Sequence, residues 1–220
     1  MTPLITGANR GIGLQVLQDY AARGDSPIGT ARRQPPAVDG ARWETLDVTD
    51  PASIRALADQ LKGTALDLLV CNAALYLDKG QPLDDGYPPE MWAQMFATNV
   101  TGVFLTIQAL LPNLRRAPSP KIAILSSMMA SDERAPGKSY IYRASKAAVL
   151  NLGRNLSSDL APEGIAVGIY HPGWVRTDMG GTAADLGVEQ AAAGLIARFD
   201  ALDMGNTGCF ETWDGQPHPY

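Results

Sequence analysis

Two side chains in this sequence have the types and spacing to move a proton: Tyr142 and Lys146, four residues apart. They fall in a stretch whose apolar residues Ala148, Leu152, Leu156 and Leu160 recur at helical spacing, and which ends near Pro162 and Gly164. Residues i and i+4 share a helix face, so the phenol and the ammonium can point into one cleft. A free phenol, with a pKa of about 10, is a poor acid–base catalyst at neutral pH, and a nearby cation favours its ionised form. Taken alone, Tyr-x-x-x-Lys also describes a surface tyrosine beside a solvated lysine.

A second constellation lies near the N-terminus. The apolar run Pro3-Leu4-Ile5-Thr6 leads into Gly7-Ala8-Asn9-Arg10-Gly11-Ile12-Gly13, and a helix-like run follows. In a strand–turn–helix unit such glycines permit a tight turn and a close approach of backbone to a pyrophosphate, while the helix N-terminus supplies N–H donors and partial positive charge. The spacing is GxxxGxG rather than GxGxxG. In isolation it also fits a plain glycine-rich turn between a strand and a helix.

The elements that must position these groups follow from patterning. Short apolar runs at 3–6, 27–31, 42–46, 66–71, 121–125, 165–170 and 208–212 alternate with helical patterns at 12–22, 51–61, 89–114, 139–160 and 188–201. Alternation of this kind predicts an α/β fold, a parallel sheet with helices on both faces, and runs such as LDLLVC lack the polar alternation of a half-exposed strand. With 220 residues and 45% hydrophobic side chains, the chain suits one large domain over 1–220. The net charge of −5 argues against a nucleic-acid binder. Cys71 and Cys209 lie outside any CxxC or metal spacing and read as reduced thiols, and His171 and His218 have no partner at metal spacing, so no metal site is expected. The carboxylates Asp84 and Asp85 read as a solvated loop. No stretch reads as a bilayer span and no signal segment precedes the first apolar run, so a cytoplasmic protein is expected.

The remaining motifs take their meaning from their order. TGANRGIG, Asp47-Val48, Cys71-Asn72-Ala73-Ala74, Asn99 in FATNVTG, Ser126-Ser127, Tyr142-Arg143-Ala144-Ser145-Lys146, and Pro172-Gly173 followed by Thr177 run from residue 6 to 177. In this order the chain resembles the short-chain dehydrogenase/reductase family. YRASKAA, HPGWVRTDMGG and the ending FETWDGQPHPY are similar to its subgroup of small carbonyl reductases that includes the C-factor and sniffer proteins. Cys71 and Ala74 depart from the outer residues of the family's NNAG motif. The fifteen residues from Ser127 to Tyr142 are a slightly long interval for the family. Both Ser126 and Ser127 are therefore candidates for the catalytic serine, with Ser127 preferred for its spacing from Asn99.

The resemblance implies a doubly wound Rossmann fold and an oxidoreductase that moves hydride between a nicotinamide cofactor and a carbonyl or alcohol. It implies that Gly7, Asn9, Arg10, Gly11, Ile12 and Gly13 form the cofactor loop and that Asp47 and Val48 hold the adenine. Asn72, Ala73 and Ala74 line the middle of the site, and Pro172, Gly173, Val175 and Thr177 flank the nicotinamide. Tyr142 would give its proton to the substrate oxygen, which Ser127 also holds. Lys146 would lower the Tyr142 pKa and bind the nicotinamide ribose, and Asn99 would position a water leading from Lys146 to solvent. Two rival functions are a non-catalytic cofactor-binding sensor or signalling protein, which the intact Ser–Tyr–Lys–Asn set opposes, and a dehydratase or epimerase, which the short segment after Thr177 opposes.

Further expectations concern specificity and assembly. The second strand ends in Thr30-Ala31-Arg32-Arg33, without the acid that usually bonds the adenosine ribose hydroxyls of NAD. Arg32 and Arg33, with Arg10 from the other side, could instead hold a 2′-phosphate, so NADP is expected over NAD. Leu75, Tyr76, Met128, Met129, Trp174 and Met179 follow strand ends and predict an apolar substrate pocket. Residues 174–187 are expected to form a lid hinged at Gly180-Gly181. Apolar residues beyond one stripe on the helices at 89–114 and 139–160 lead to the expectation of a homodimer or homotetramer.

Overall fold

A computed structural model describes all residues of 1–220 except Arg134. In chain order its elements are β1 (Pro3–Ile5), α1 (Gly11–Ala22), β2 (Ile28–Ala31), β3 (Arg42–Thr45), α2 (Pro51–Gln60), β4 (Leu68–Cys71), α3 (Pro89–Phe96), α4 (Gly102–Leu114), β5 (Lys121–Leu125), α5 (Tyr140–Leu160), β6 (Ala166–His171), α6 (Val188–Ala201) and β7 (Phe210–Thr212). The strands form one seven-stranded sheet in the order β3-β2-β1-β4-β5-β6-β7, and every pairing is parallel.

Successive residues of each inner strand feed opposite cores, which is why these runs carry no polar alternation. Leu4, Leu69, Ile122 and Ile124 pack on one face with Ile54 and Leu57 of α2, Ile107 and Leu110 of α4, and Val149 of α5. Ile5, Val70, Ala123 and Leu125 pack on the other with Val16, Leu17 and Tyr20 of α1 and Leu195 and Phe199 of α6. The sheet is thus covered on both sides, as the alternation of elements predicts. Thr6, Pro27, Leu46, Leu66, Ile165 and Gly208 fall just outside the strands expected to contain them. Their backbone bonds show why: the Leu66 N–H donates to the Asn113 carbonyl (3.2 Å) and the Ile165 N–H to Leu160 (3.3 Å), both outside the ladder.

The long helix expected over 89–114 is two α-helices joined by a π turn, Ala97–Thr101, that carries Asn99. This rod also corrects the expectation that nothing could span a bilayer. Pro89–Leu114 is long and apolar enough by length and composition, with a mean hydropathy of 1.4 over its most apolar 18 residues. Its apolar residues have a different destination here: Val103, Ile107, Leu110 and Leu114 are buried in the core beside the sheet, and Met95 is buried beside α5. Ser139, expected to open the helix of Tyr142, instead adopts φ 51° outside it.

The sheet reverses direction of winding between β1 and β4, and the loops leaving these strands diverge to leave a crevice. Two glycines let the β1 loop come close there. Gly7 has φ +63°, and a Cβ on it would lie 3.0 Å from the Ala73 Cα. A Cβ on Gly13 would collide with the Asn72 amide and approach the Gly7 carbonyl oxygen to 2.7 Å. Gly13→Ala is therefore expected to lower stability by about 1–3 kcal/mol, the usual cost of overpacking. Thermal denaturation should show a Tm several degrees below that of the wild type, and an unchanged Tm would contradict this close packing.

Candidate active site

A cleft of about 480 Å³ opens at the C-terminal ends of the strands, over the β1–β4 crevice. One wall is the glycine loop, with Gly7, Asn9, Arg10, Gly11 and Ile12 facing in. Arg32, Asp47 and Val48 line one end; Asn72, Ala73 and Ala74 line the middle; Tyr142, Lys146, Pro172 and Thr177 line the other end. Gly13, Arg33, Gly173, Val175, Ser127 and Asn99 are not among the lining residues. Gly13 lies beneath the loop, where only a glycine fits. Val175 is buried against Leu186 and Ala191, so it packs the cleft's floor rather than facing a ligand.

The loop is shaped for an anion. α1 begins at Gly11, and its cap residue Arg10 provides no side-chain acceptor for the first N–H groups. Those donors, together with the positive end of the helix dipole, suit a phosphate, and the glycines leave room for one to approach the backbone. The loop is held from behind. Asn72 Nδ2 donates to the carbonyls of Thr6 (2.8 Å) and Gly7 (3.0 Å). Thr6 Oγ1 accepts from the N–H groups of Asn72 (3.0 Å) and Ala73 (3.1 Å). Asn72 therefore braces the loop with its side chain. Asp47 likewise closes its own turn, accepting from the Thr49 N–H (2.9 Å) and hydroxyl (2.7 Å). Those bonds, with Arg32 nearby, hold its carboxyl below the ordinary range.

At the other end, α5 presents Tyr142 and Lys146 from one face, as their spacing predicts. Both are buried, 8% and 3% exposed. The Lys146 Nζ donates to the Leu125 carbonyl (2.8 Å) and lies 5.6 Å from the Tyr142 ring centre. The two serines divide their tasks. The Ser126 hydroxyl donates to the Lys146 carbonyl (3.0 Å), which anchors α5 to the end of β5. The Ser127 hydroxyl accepts from the Met129 N–H (3.1 Å) and stands close enough to the Tyr142 phenol to favour its ionised form. The Asn99 amide is fully engaged. Its Nδ2 donates to the Leu75 carbonyl (2.9 Å) and to Ser145 Oγ (3.0 Å), and its Oδ1 accepts from the Leu75 N–H (2.8 Å). The side chain thus clamps the Leu75 backbone to Ser145 of α5. The π turn leaves room for this clamp, a use for which such turns recur at functional sites.

The charges correct one expectation. Burial pushes the Tyr142 phenol above the ordinary tyrosine range, and the Ser127 hydroxyl offsets only part of that. Burial pushes the Lys146 ammonium down to about 8. Burial thus acts in opposite directions on the two groups, and Lys146 is not among the groups that shift the phenol.

Two further expectations change. Arg10 pairs with Asp178 (3.0 Å) at the cleft, in an exposed ion pair, while lining the same cleft as Arg32. Arg33 is exposed and outside the cleft, which leaves Arg32 as the arginine at that end. The Gly180-Gly181 turn is tied rather than open. The Gly180 carbonyl accepts from Trp174 Nε1 (3.0 Å) and Lys79 Nζ (3.3 Å), and the Gly181 N–H donates to Thr177 (2.8 Å). A Cβ on Gly180 would collide with the Val175 carbonyl, so this glycine serves close packing and not a hinge. Sequence reasoning missed Asp178 and Asp78. The partner of each, Arg10 and the first turn of α5, lies 168 and 63 residues away along the chain, and no local pattern signals either contact.

Comparison with known proteins agrees with this geometry. A family model described as short chain dehydrogenase matches residues 2–185. The C-signal protein of Myxococcus xanthus is 36% identical over 129 residues, 58% of this chain and 78% of that protein. The solved structure of NADPH-bound carbonyl reductase from chicken fatty liver is 31% identical with a TM-score of 0.89, covering 100% of this chain and 98% of its own. The carbonyl reductase Sniffer of D. melanogaster is 25% identical with a TM-score of 0.90, covering 100% and 99%. With the crevice, the glycine loop and the buried Ser127–Tyr142–Lys146 group in place, the chain belongs to the short-chain dehydrogenase family of oxidoreductases.

Proposed function

We propose that this protein is an NADP(H)-dependent carbonyl reductase acting on apolar substrates. The observation that carries the reading is the buried phenol of Tyr142, with Lys146 on the same helix face beside it, at the end of a phosphate-ready cleft. A bound nicotinamide cofactor supplies the hydride for such a reaction. The glycine loop with the N-terminus of α1 would hold its pyrophosphate, and Pro172 and Thr177 would flank its reactive end. Tyr142 donates a proton to the substrate oxygen as negative charge develops there, and the Ser127 hydroxyl stabilises the same oxygen. Lys146, charged at neutral pH, faces the phenolate left behind and offsets its burial. The wall beyond Tyr142 is largely apolar, with Leu75, Tyr76 and Met129 packed beside it. That composition favours uncharged substrates over sugar-like ones. The cytoplasm is the compartment we infer, with the whole span 1–220 acting as one cofactor-binding domain.

The preference for NADP rests on Arg32. It lines the cleft where β2 ends, and that strand end carries no acid to repel a 2′-phosphate. The NADPH-bound chicken enzyme supports the same cofactor. We also infer self-association through the outer side of the α3–α4 rod and α5. Trp92 and Phe104 are exposed there, and Leu105, Leu152 and Leu156 are only half-buried. Light scattering at micromolar concentration is expected to give at least a dimer mass. A monomer would refute this assembly and leave the chemistry intact.

Two tests address the chemistry. Tyr142→Phe removes the proton donor and is expected to reduce kcat for carbonyl reduction by about 10²–10⁴-fold while cofactor still binds. Lys146→Ala should weaken both turnover and cofactor affinity. A Tyr142→Phe enzyme with most of its kcat would end this assignment. For the cofactor, Arg32→Asp is expected to move the ratio of kcat/KM with NADPH to that with NADH by about 10–100-fold toward NADH, the worth of one charge-assisted contact. An unchanged ratio, or a wild type that uses both equally, would show that Arg32 does not read the phosphate.

A further inference from the structure

Asp78 is completely buried, and it lies in the segment between β4 and α3, across from the start of α5. Its Oδ2 accepts from the N–H of Ile141 (2.8 Å) and from the N–H of Tyr142 itself (3.3 Å). This is the service an N-cap residue ordinarily performs. The residue at the cap position, Ser139, does not perform it: its side chain makes no capping bond, and its hydroxyl is paired with the Tyr76 phenol (2.6 Å). Lys138 and Ser139 both have left-handed backbones, φ 63° and 51°, a costly conformation for non-glycine residues. The chain thus enters the helix in strained geometry, and a carboxylate from a distant segment takes over the cap. The other oxygen of Asp78, Oδ1, has no hydrogen-bond partner among the described residues.

We propose that Asp78 is a positioning residue for the reaction, acting through Tyr142: its buried carboxylate fixes the helix turn that carries the phenol and sets an incompletely neutralised negative charge beside it. The proposal rests on the reading of Tyr142 as proton donor. The helix backbone uses one carboxylate oxygen, and the dipole of a 21-residue helix attracts the charge to that place. A negative charge nearby disfavours a second one, so the phenol is biased toward keeping its proton until a substrate oxygen takes it. The groups around Tyr142 leave Asp78 as the acidic one. Ser127 contributes a neutral hydroxyl, Tyr76 stacks on the ring with centres 4.1 Å apart, and Lys146 is the neighbouring cation. α3 contributes apolar Met91, Met95 and Phe96, Tyr87 joins them from the preceding loop, and Arg143 turns its guanidinium to the Met129 carbonyl (3.5 Å). Asp78 is also among the causes that hold the phenol high.

The test separates charge from capping. Asp78→Asn keeps an acceptor oxygen for the Ile141 and Tyr142 N–H groups and removes the charge, whereas Asp78→Ala removes both. Two readouts follow the Tyr142 proton: the pH profile of kcat for alcohol oxidation, which needs the phenolate, and the phenolate absorbance isolated by subtracting the same background carrying Tyr142→Phe. In Asp78→Asn both midpoints are expected to move to lower pH by about one unit, which is about tenfold more phenolate at a fixed pH below the midpoint. Asp78→Ala should show that shift together with a lower kcat at every pH. Midpoints of Asp78→Asn that coincide with the wild type would overturn the proposal and reduce Asp78 to a helix cap. Failure of Asp78→Asn to fold would overturn it too, because the charge would then be a requirement of the fold. A Tyr142→Phe enzyme that stays active would instead remove the reading of Tyr142 on which the proposal stands, a result distinct from either.

Discussion

Everything at the site depends on how closely two loops approach each other at the β1–β4 crevice, and one amide side chain sets that distance. Asn72 holds the carbonyls of Thr6 and Gly7 with both of its N–H bonds. These carbonyls have left the sheet ladder and would otherwise face burial without partners, at a cost of about 1–3 kcal/mol each. Because Asn72 must reach them, Gly13 can carry no side chain, and Gly7, at positive φ and pressed against Ala73, can carry none either, so the loop lies close to the β4 end and leaves the first N–H groups of α1 without side-chain caps. A phosphate-binding surface is thus the by-product of satisfying backbone groups where two parallel strands part.

The chemistry at the opposite end obeys a related constraint, burial. Desolvation disfavours charge, so it acts in opposite directions on an acid and a base. The Tyr142 phenol rises and the Lys146 ammonium falls toward neutral pH. The pair in its resting state is a neutral acid beside a readily deprotonated cation. That is a suitable starting point for giving a proton to a carbonyl, and it differs from the ionised tyrosine that spacing alone suggests. Ser126 and Asn99 do not touch the reacting atoms. They fix α5 to β5 and to the cleft wall, so the reactive groups move little relative to the loop that faces them.

How much of this could be read from the sequence follows from the range of each interaction. The seven strands and their order along the chain were legible because double-sided burial leaves a local mark, an unbroken apolar run. The pairing of Tyr142 with Lys146 was legible because a helix turns a spacing of four into a shared face. The different partners of Ser126 and Ser127, the Lys146 carbonyl and the Met129 N–H, depend on the twist at the end of β5, which leaves no trace in composition. The π turn was hidden for a similar reason: Ala97–Thr101 reads as ordinary helix, and only the demand of Asn99 for Leu75 and Ser145 reveals the extra residue. Arg10 and Arg32 both follow strand ends and line one cleft, but the pairing of Arg10 with Asp178, 168 residues along the chain, has no local signal. The tight Gly180 turn looked like a hinge because glycine marks both looseness and crowding.

The π turn in the α3–α4 rod also has a geometric consequence. A turn of wider winding carries one residue more than an α turn, and each residue advances a helix by about 100°. Met95 and Ile107 lie twelve residues apart, a spacing that would set them about 120° apart around an unbroken α-helix, and the extra residue of the π turn absorbs most of that offset, so both can face the interior. Deleting one residue here would restore regular winding and leave the side chains downstream facing as they do, but it would remove the bulge from which Asn99 reaches Leu75 and Ser145, so an alignment gap at this point would mark the loss of that clamp and not a repacked core.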